Sequence, residues 1–152
     1  VDPVESLPNP SSVLFACRMN SIRSPMAAGI LRYLAGKRIY VRSAGVRPGE
    51  PDQFAIKVME EIGIDISGHI PRTVDDLNDT SFDLIISLAP EAHHRTLEFT
   101  RSMSVIVEFW PTMDPSDYIG SRDQILSQYR NCRDELFKRI KDRFSYLGTH
   151  YL

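Results

Sequence analysis

Four short apolar runs, each followed by a segment patterned as a helix, constrain this chain more than any other feature. The runs are SVLFA (Ser12–Ala16), RIYVR (Arg38–Arg42), FDLIISL (Phe82–Leu88) and SVIVEF (Ser104–Phe109). Each is rich in β-branched, aromatic or aliphatic residues and has strand length, as buried strands require. After the first run, Ser24 can cap a helix and Pro25 can occupy its first position, where a missing N–H costs nothing. Gly36 supplies a stop. Phe54, Ala55, Val58, Met59 and Ile62 recur at helical spacing before Gly63. A third helix follows Leu88 to about Phe99. From Asp123 onward, Ile125, Tyr129, Cys132, Leu136, Ile140 and Phe144 step by three or four, which predicts a long closing helix. Strand–helix alternation of this kind predicts an α/β fold with parallel strands, right-handed crossovers and helices on both faces. The 152 residues suit one domain, expected over 12–152, with a proline-bearing extended tail over 1–11.

Whole classes of partner are disfavoured by the totals. A net charge of -2 argues against a nucleic-acid partner, which surplus positive charge would have to hold. No apolar run approaches the roughly 20 residues that cross a bilayer, and no charged-then-apolar start marks a secretory signal. Two cysteines far apart do not make a disulfide framework, so a reducing cytoplasm is the expected compartment.

In doubly wound sheets, ligands sit at the carboxyl ends of the strands. Cys17–Arg23 lies at such an end, between the first strand and the first helix. Backbone N–H groups of a loop feeding a helix converge on one point, where the helix dipole adds positive potential. Arg23 closes this loop with a planar fork matched to phosphate oxygens, while Cys17 opens it in an electropositive spot that favours the thiolate. That pairing suits nucleophilic attack on a phosphate monoester. Cys-x5-Arg alone is equally compatible with a buried structural cysteine beside solvated arginines; the strand–loop–helix setting favours the chemical reading. The loop lacks the glycines and lysine of a Walker motif. No Cys-x-x-Cys or spaced histidine pair offers a zinc site, and adjacent His93 and His94 read as a surface pair.

Four pieces, in order, carry a resemblance: VLFACRMNSIRSPMA, SAG (Ser43–Gly45), GIDISGH (Gly63–His69) and Asp114-Pro115. The chain resembles the low-molecular-weight protein tyrosine phosphatase family, whose fold thioredoxin-coupled arsenate reductases share. The resemblance implies a three-layer α/β/α sandwich with a four-stranded parallel sheet in the order 2-1-3-4. It implies hydrolysis of phosphate monoesters through a cysteinyl phosphate, without metal or cofactor, on a phosphoprotein or small aryl phosphate. Residue by residue, Cys17 resembles the nucleophile, Arg23 the phosphate clamp and Asp114 the acid and base. Arg18, Met19, Asn20, Ser21 and Ile22 form the phosphate loop. Ser24 resembles the hydroxyl that stabilises the thiolate, and Asn20 the residue held in the left-handed conformation. Ser43 and His69 resemble the groups that tie Asn20 down; by themselves they read as a polar strand end and a turn residue. Arg47 and Tyr118 fall on the expected substrate flank. Asp117 competes with Asp114 on sequence grounds alone.

The loop departs from the family pattern at Met19, where glycine is usual, and at Ile22, where many members carry a second cysteine. Ser116 and Asp117 replace residues that often flank an aromatic substrate. The carboxy-terminal third looks closer to the arsenate reductases, yet SLAPEAHHRTLEF holds no resolving thiol, and Cys132 falls on an apolar helix stripe. Arsenate reduction with an external thiol partner is therefore the alternative, and a phosphate-dependent binding module without turnover is a third.

Overall fold

The protein is described here from a computed structural model covering residues 9–77, 81–101 and 104–148. The first eight residues of the expected tail thus lie outside the described residues. Four strands, β1 (Ser12–Cys17), β2 (Tyr40–Gly45), β3 (Leu84–Ser87) and β4 (Ile106–Phe109), form one parallel sheet in the order β2-β1-β3-β4. This is the expected order. The helices are α1 (Arg23–Ala35), α2 (Gln53–Glu60), α3 (Pro90–Phe99) and α4 (Arg122–Arg143).

Side chains of β1 alternate between two cores, as a strand period of two dictates. Val13 and Phe15 join the larger core, built with α1, α2 and α4. Leu14 packs with Val74, Leu77 and Phe82, and Ala16 with Ala89 and Ala92, on the opposite side. Phe15, Met26, Ile30, Leu31 and Leu136 are fully buried; each contributes roughly 1.5–3 kcal/mol relative to exposure. Among the described residues no helix is long and apolar enough to cross a membrane.

Several boundaries differ from expectation, each for a physical reason. β2 is displaced from 38–42 to Tyr40–Gly45, because residues 36–38 form a 3-10 turn after Gly36 at φ 58. Ser43–Gly45 has little β propensity, but pairing with Phe15–Cys17 carries it into the sheet. β3 and β4 are shorter than their apolar runs: Phe82 packs in the core without joining the ladder, and β4 begins where Ile106 N–H reaches Asp83 O. Ser24 is not the cap of α1. The helix starts two residues earlier, at Arg23, Ile22 stands at the cap position without a side-chain bond, and the Ser24 hydroxyl turns toward the loop. The cap of α4 is Ser121, in a capping box with Gln124. His93 is not a surface residue: it is half-buried and stacks on Phe109 at 4.6 Å, whereas His94 is exposed.

Candidate active site

The switch point of the sheet lies between β1 and β3, whose crossovers leave in opposite directions. Cys17 is the last residue of β1, and the chain turns there into the loop that starts α1. Two donors face its sulfur: Asn20 N–H at 3.3 Å and the Ser24 hydroxyl at 2.9 Å. Asn20 Nδ2 donates to Ser24 Oγ at 2.8 Å, which leaves the serine hydrogen for Cys17 Sγ, nearer than its other acceptor, Ala44 O at 3.5 Å. Both contacts stabilise negative charge on Cys17. The first turn of α1 has no side-chain cap, which leaves its N–H groups open to an oxyanion.

Asn20 holds the loop together. It is fully buried and, at φ 56, has the one positive φ outside glycine among the described residues. Its side chain donates to Ser43 Oγ at 3.0 Å as well as to Ser24, and its Oδ1 accepts from Arg72 N–H at 2.9 Å. Its carbonyl faces His69 Nε2 at 2.8 Å. Ser43 and His69 therefore meet Asn20 where the resemblance places them. The Arg72 contact comes through backbone, which no side-chain motif signals. Met19 keeps a negative φ, so the loop absorbs its side chain without a left-handed backbone. Gly45 lies against the loop: a Cβ there would meet Asn20 N at 2.8 Å and Arg18 O at 2.9 Å. Gly49 N–H donates to Met19 O at 2.9 Å, and a Cβ on Gly49 would collide with the Ser21 hydroxyl.

The imidazole of His69 is held below the ordinary histidine value of about 6.5, chiefly by burial and further by the charges of Arg72 and Arg32, against the pull of the Asn20 carbonyl. The neutral ring then donates from Nε2 to that carbonyl. Above the ordinary value, folded and unfolded rings are both neutral. As pH falls below it, the unfolded chain binds a proton that the folded ring resists, so stability declines until the lowered folded value is reached. Urea midpoints should therefore fall between about pH 7 and pH 5 by an amount that His69→Gln, which keeps a donor but does not titrate, removes. An unchanged slope in that variant would place the proton uptake elsewhere.

Arg23 is buried, with Nη1 on Thr112 O at 2.9 Å and Nη2 3.5 Å from Asp114 Oδ2. Asp114 Oδ1 accepts from Ser116 N–H and Oγ, which fixes the carboxyl plane. A cleft of about 190 Å³ gathers these groups: Cys17, Met19, Ser21, Ile22 and Arg23 on one side, Gly49, Glu50, Asp52, Asp114 and Ser116 on the other. Asp117 is exposed and does not line it; nor do Arg47 or Tyr118. Arg47 and Arg18 instead share Glu91, at 3.2 and 3.8 Å, outside the cleft. Glu50 and Asp52 went unread in the sequence. Asp52 caps α2 and accepts from the Tyr129 hydroxyl at 2.9 Å, an arrangement that no local pattern reveals. Cys132 is buried on α4, and that burial pushes its thiol up to about 12.

The family model of low molecular weight phosphotyrosine protein phosphatase matches residues 12–149. A glutaredoxin arsenate reductase from Synechocystis is 32% identical over 130 residues, covering 86% of this chain and 93% of that protein. Among solved structures, an arsenate reductase in its phosphate-binding state superposes with a TM-score of 0.72 at 29% identity, over 91% of this chain and 99% of the other. A low molecular weight protein tyrosine phosphatase from T. tengcongensis does so with a TM-score of 0.74 at 25% identity, over 89% and 98%.

Proposed function

Because the chain belongs to the low molecular weight phosphotyrosine protein phosphatase family, we propose that it hydrolyses phosphate monoesters through a cysteinyl-phosphate intermediate. One observation carries the reading: a single cleft holds a sulfur with two donors on it, a buried guanidinium and a fixed carboxyl. The Cys17 thiolate attacks phosphorus as the ester P–O bond breaks, and protonated Asp114 gives its proton to the leaving oxygen. Arg23 and the loop amides bear the charge on the equatorial oxygens. The Asp114 carboxylate next takes a proton from water, which displaces the Cys17 thiolate from phosphorus and releases inorganic phosphate. Asp114 holds this role over Asp117 because it lines the cleft and Asp117 does not. The domain spans 12–152 in this reading, with the sequence before it as a tail.

A second reading, reduction of arsenate, is favoured by the arsenate reductase relatives and by a cleft lined, among the described residues, with no aromatic ring. Cys17 would form a thioester with arsenate as water leaves. An external thiolate would then attack the Cys17 sulfur, releasing arsenite and leaving a mixed disulfide that a second thiol reduces. The partner is external in this reading, because Cys132, the other cysteine of the chain, is buried on α4 and that burial pushes its thiol up to about 12.

One pair of assays on the same preparation tests the proposal: release of phosphate from phenyl phosphate, and arsenate-dependent oxidation of glutathione in the presence of a glutaredoxin. Hydrolysis alone supports the first reading. Thiol oxidation without hydrolysis overturns it in favour of the second, and neither activity leaves an oxyanion-binding module. In the active assay, Arg23→Lys should lower kcat/KM on the order of 10²–10³, because an ammonium cannot reproduce the planar fork. Near-normal kinetics in that variant would remove Arg23 from the cradle.

A further inference from the structure

Behind the phosphate loop, away from the cleft, lies a second and larger cavity of about 550 Å³ between α1 and the 63–72 segment. Gly29 lets the two approach, since a Cβ there would meet Ile66 Cγ2 at 2.9 Å. Ile64, Ile66 and Ile70 supply apolar walls, and Arg32 and Arg72 supply cationic ones. Arg42, on β2, lies outside the cavity lining but adds a third charge that Arg32 senses, and burial with that repulsion lowers the Arg32 pKa.

None of these three arginines has a carboxylate partner among the described residues, although ten ion pairs are formed by other residues there. Arg32 spends one N–H on Val41 O, Arg42 one on Tyr40 Oη, and Arg72 its Nε on Ile70 O; their remaining guanidinium donors have no acceptor among the described residues. Asp65 also lines the cavity, but its carboxylate accepts from Ser67 N–H rather than from an arginine. Arg32 and Arg72, the two that line the cavity, repel each other across it, and an anion placed between them relieves that repulsion.

We propose that this cavity binds a small organic phosphate, its dianionic head between Arg32 and Arg72 and its body against Ile64, Ile66 and Ile70. The volume falls in the range of small-molecule sites and exceeds what a bare oxyanion fills. The site adjoins the phosphate loop directly: His69 and Arg72, which line it, are the residues that hold the Asn20 carbonyl and side chain. Ligand bound here fixes the 69–72 segment and through it the loop.

Methyl-detected NMR tests this with two sets of reporters. Phenylphosphonate is titrated into the protein while Ile64, Ile66 and Ile70 report on the cavity and Met19 and Ile22 on the cleft. The cavity methyls should saturate with their own midpoint, separate from that of Met19 and Ile22. Arg72→Gln, which keeps the backbone N–H on Asn20, should weaken the cavity titration about tenfold. Arg32→Gln, at a residue that lines the cavity and bonds to Val41 O rather than to the loop, gives the same test and should leave the cleft titration in place. Inorganic phosphate is the second arm: weaker cavity binding than phenylphosphonate identifies an organic ligand, and equal binding identifies the free ion at the same arginines. The proposal is overturned if the cavity methyls do not respond, if they follow Ile22 at one midpoint, or if both arginine variants titrate as the parent does.

Discussion

Cys17→Ser is expected to leave a protein that binds phosphate and turns over no phosphate ester. The substitution keeps the size of the side chain and both donors that face it, Asn20 N–H and the Ser24 hydroxyl. The cradle should therefore survive and hold inorganic phosphate in calorimetry with an affinity near that of the parent. The hydroxyl has no base positioned to activate it as the thiolate is activated, so kcat should fall on the order of 10⁴–10⁶. Residual turnover within about tenfold of the parent would mean that Cys17 is not the nucleophile.

The second large effect is expected at Asp114, and it should depend on the leaving group. Where the departing oxygen is a poor base, as in p-nitrophenolate, expulsion needs little help. With phenyl phosphate the oxygen must be protonated as it leaves. Asp114→Ala should thus slow phosphorylation of Cys17 modestly with the nitrophenyl ester and by about 10²–10⁴ with the phenyl ester. Single-turnover rates are the measurement of choice, because Asp114 also assists breakdown of the phosphocysteine, a step common to both substrates. Asp117→Ala, at an exposed position outside the cleft, should leave the dependence on leaving-group pKa unchanged. If that dependence steepens for Asp117→Ala and not for Asp114→Ala, the roles are reversed.

What the sequence made legible is what local chemistry determines. Helix content and parallel strands followed from the alternation of apolar runs, and sheet order from the family resemblance. The loop was readable because Cys17, Arg23 and Ser24 are close in sequence. Ser24 also shows the limit of local reading: a serine before proline looks like a cap, yet its hydroxyl is drawn to Cys17 and Asn20, which are better partners in the folded loop. The end of β2 was missed because Ser43–Gly45 has no strand propensity of its own and extends only by pairing with β1. The rest of the site is built from long-range contacts. Thr112 offers Arg23 a backbone oxygen from 89 residues away, and Tyr129 anchors Asp52 across 77. No spacing rule covers such pairs, and Arg72 reaches Asn20 through an N–H that most residue types would supply.

The attachment of Asn20 also bears on how this kind of loop can be inherited or engineered. Ser43, His69 and Arg72, from β2 and the segment after α2, hold its side chain and carbonyl in a conformation that ordinary L-residues avoid. The catalytic stretch is thus not a portable cassette. Grafted onto another strand–helix junction, CRMNSIRS would carry its nucleophile and its arginine, but the asparagine would relax and the amides would cease to converge. A working transplant has to include SAG and the 69–72 segment in register, which makes the smallest transferable unit of this chemistry nearly half a domain.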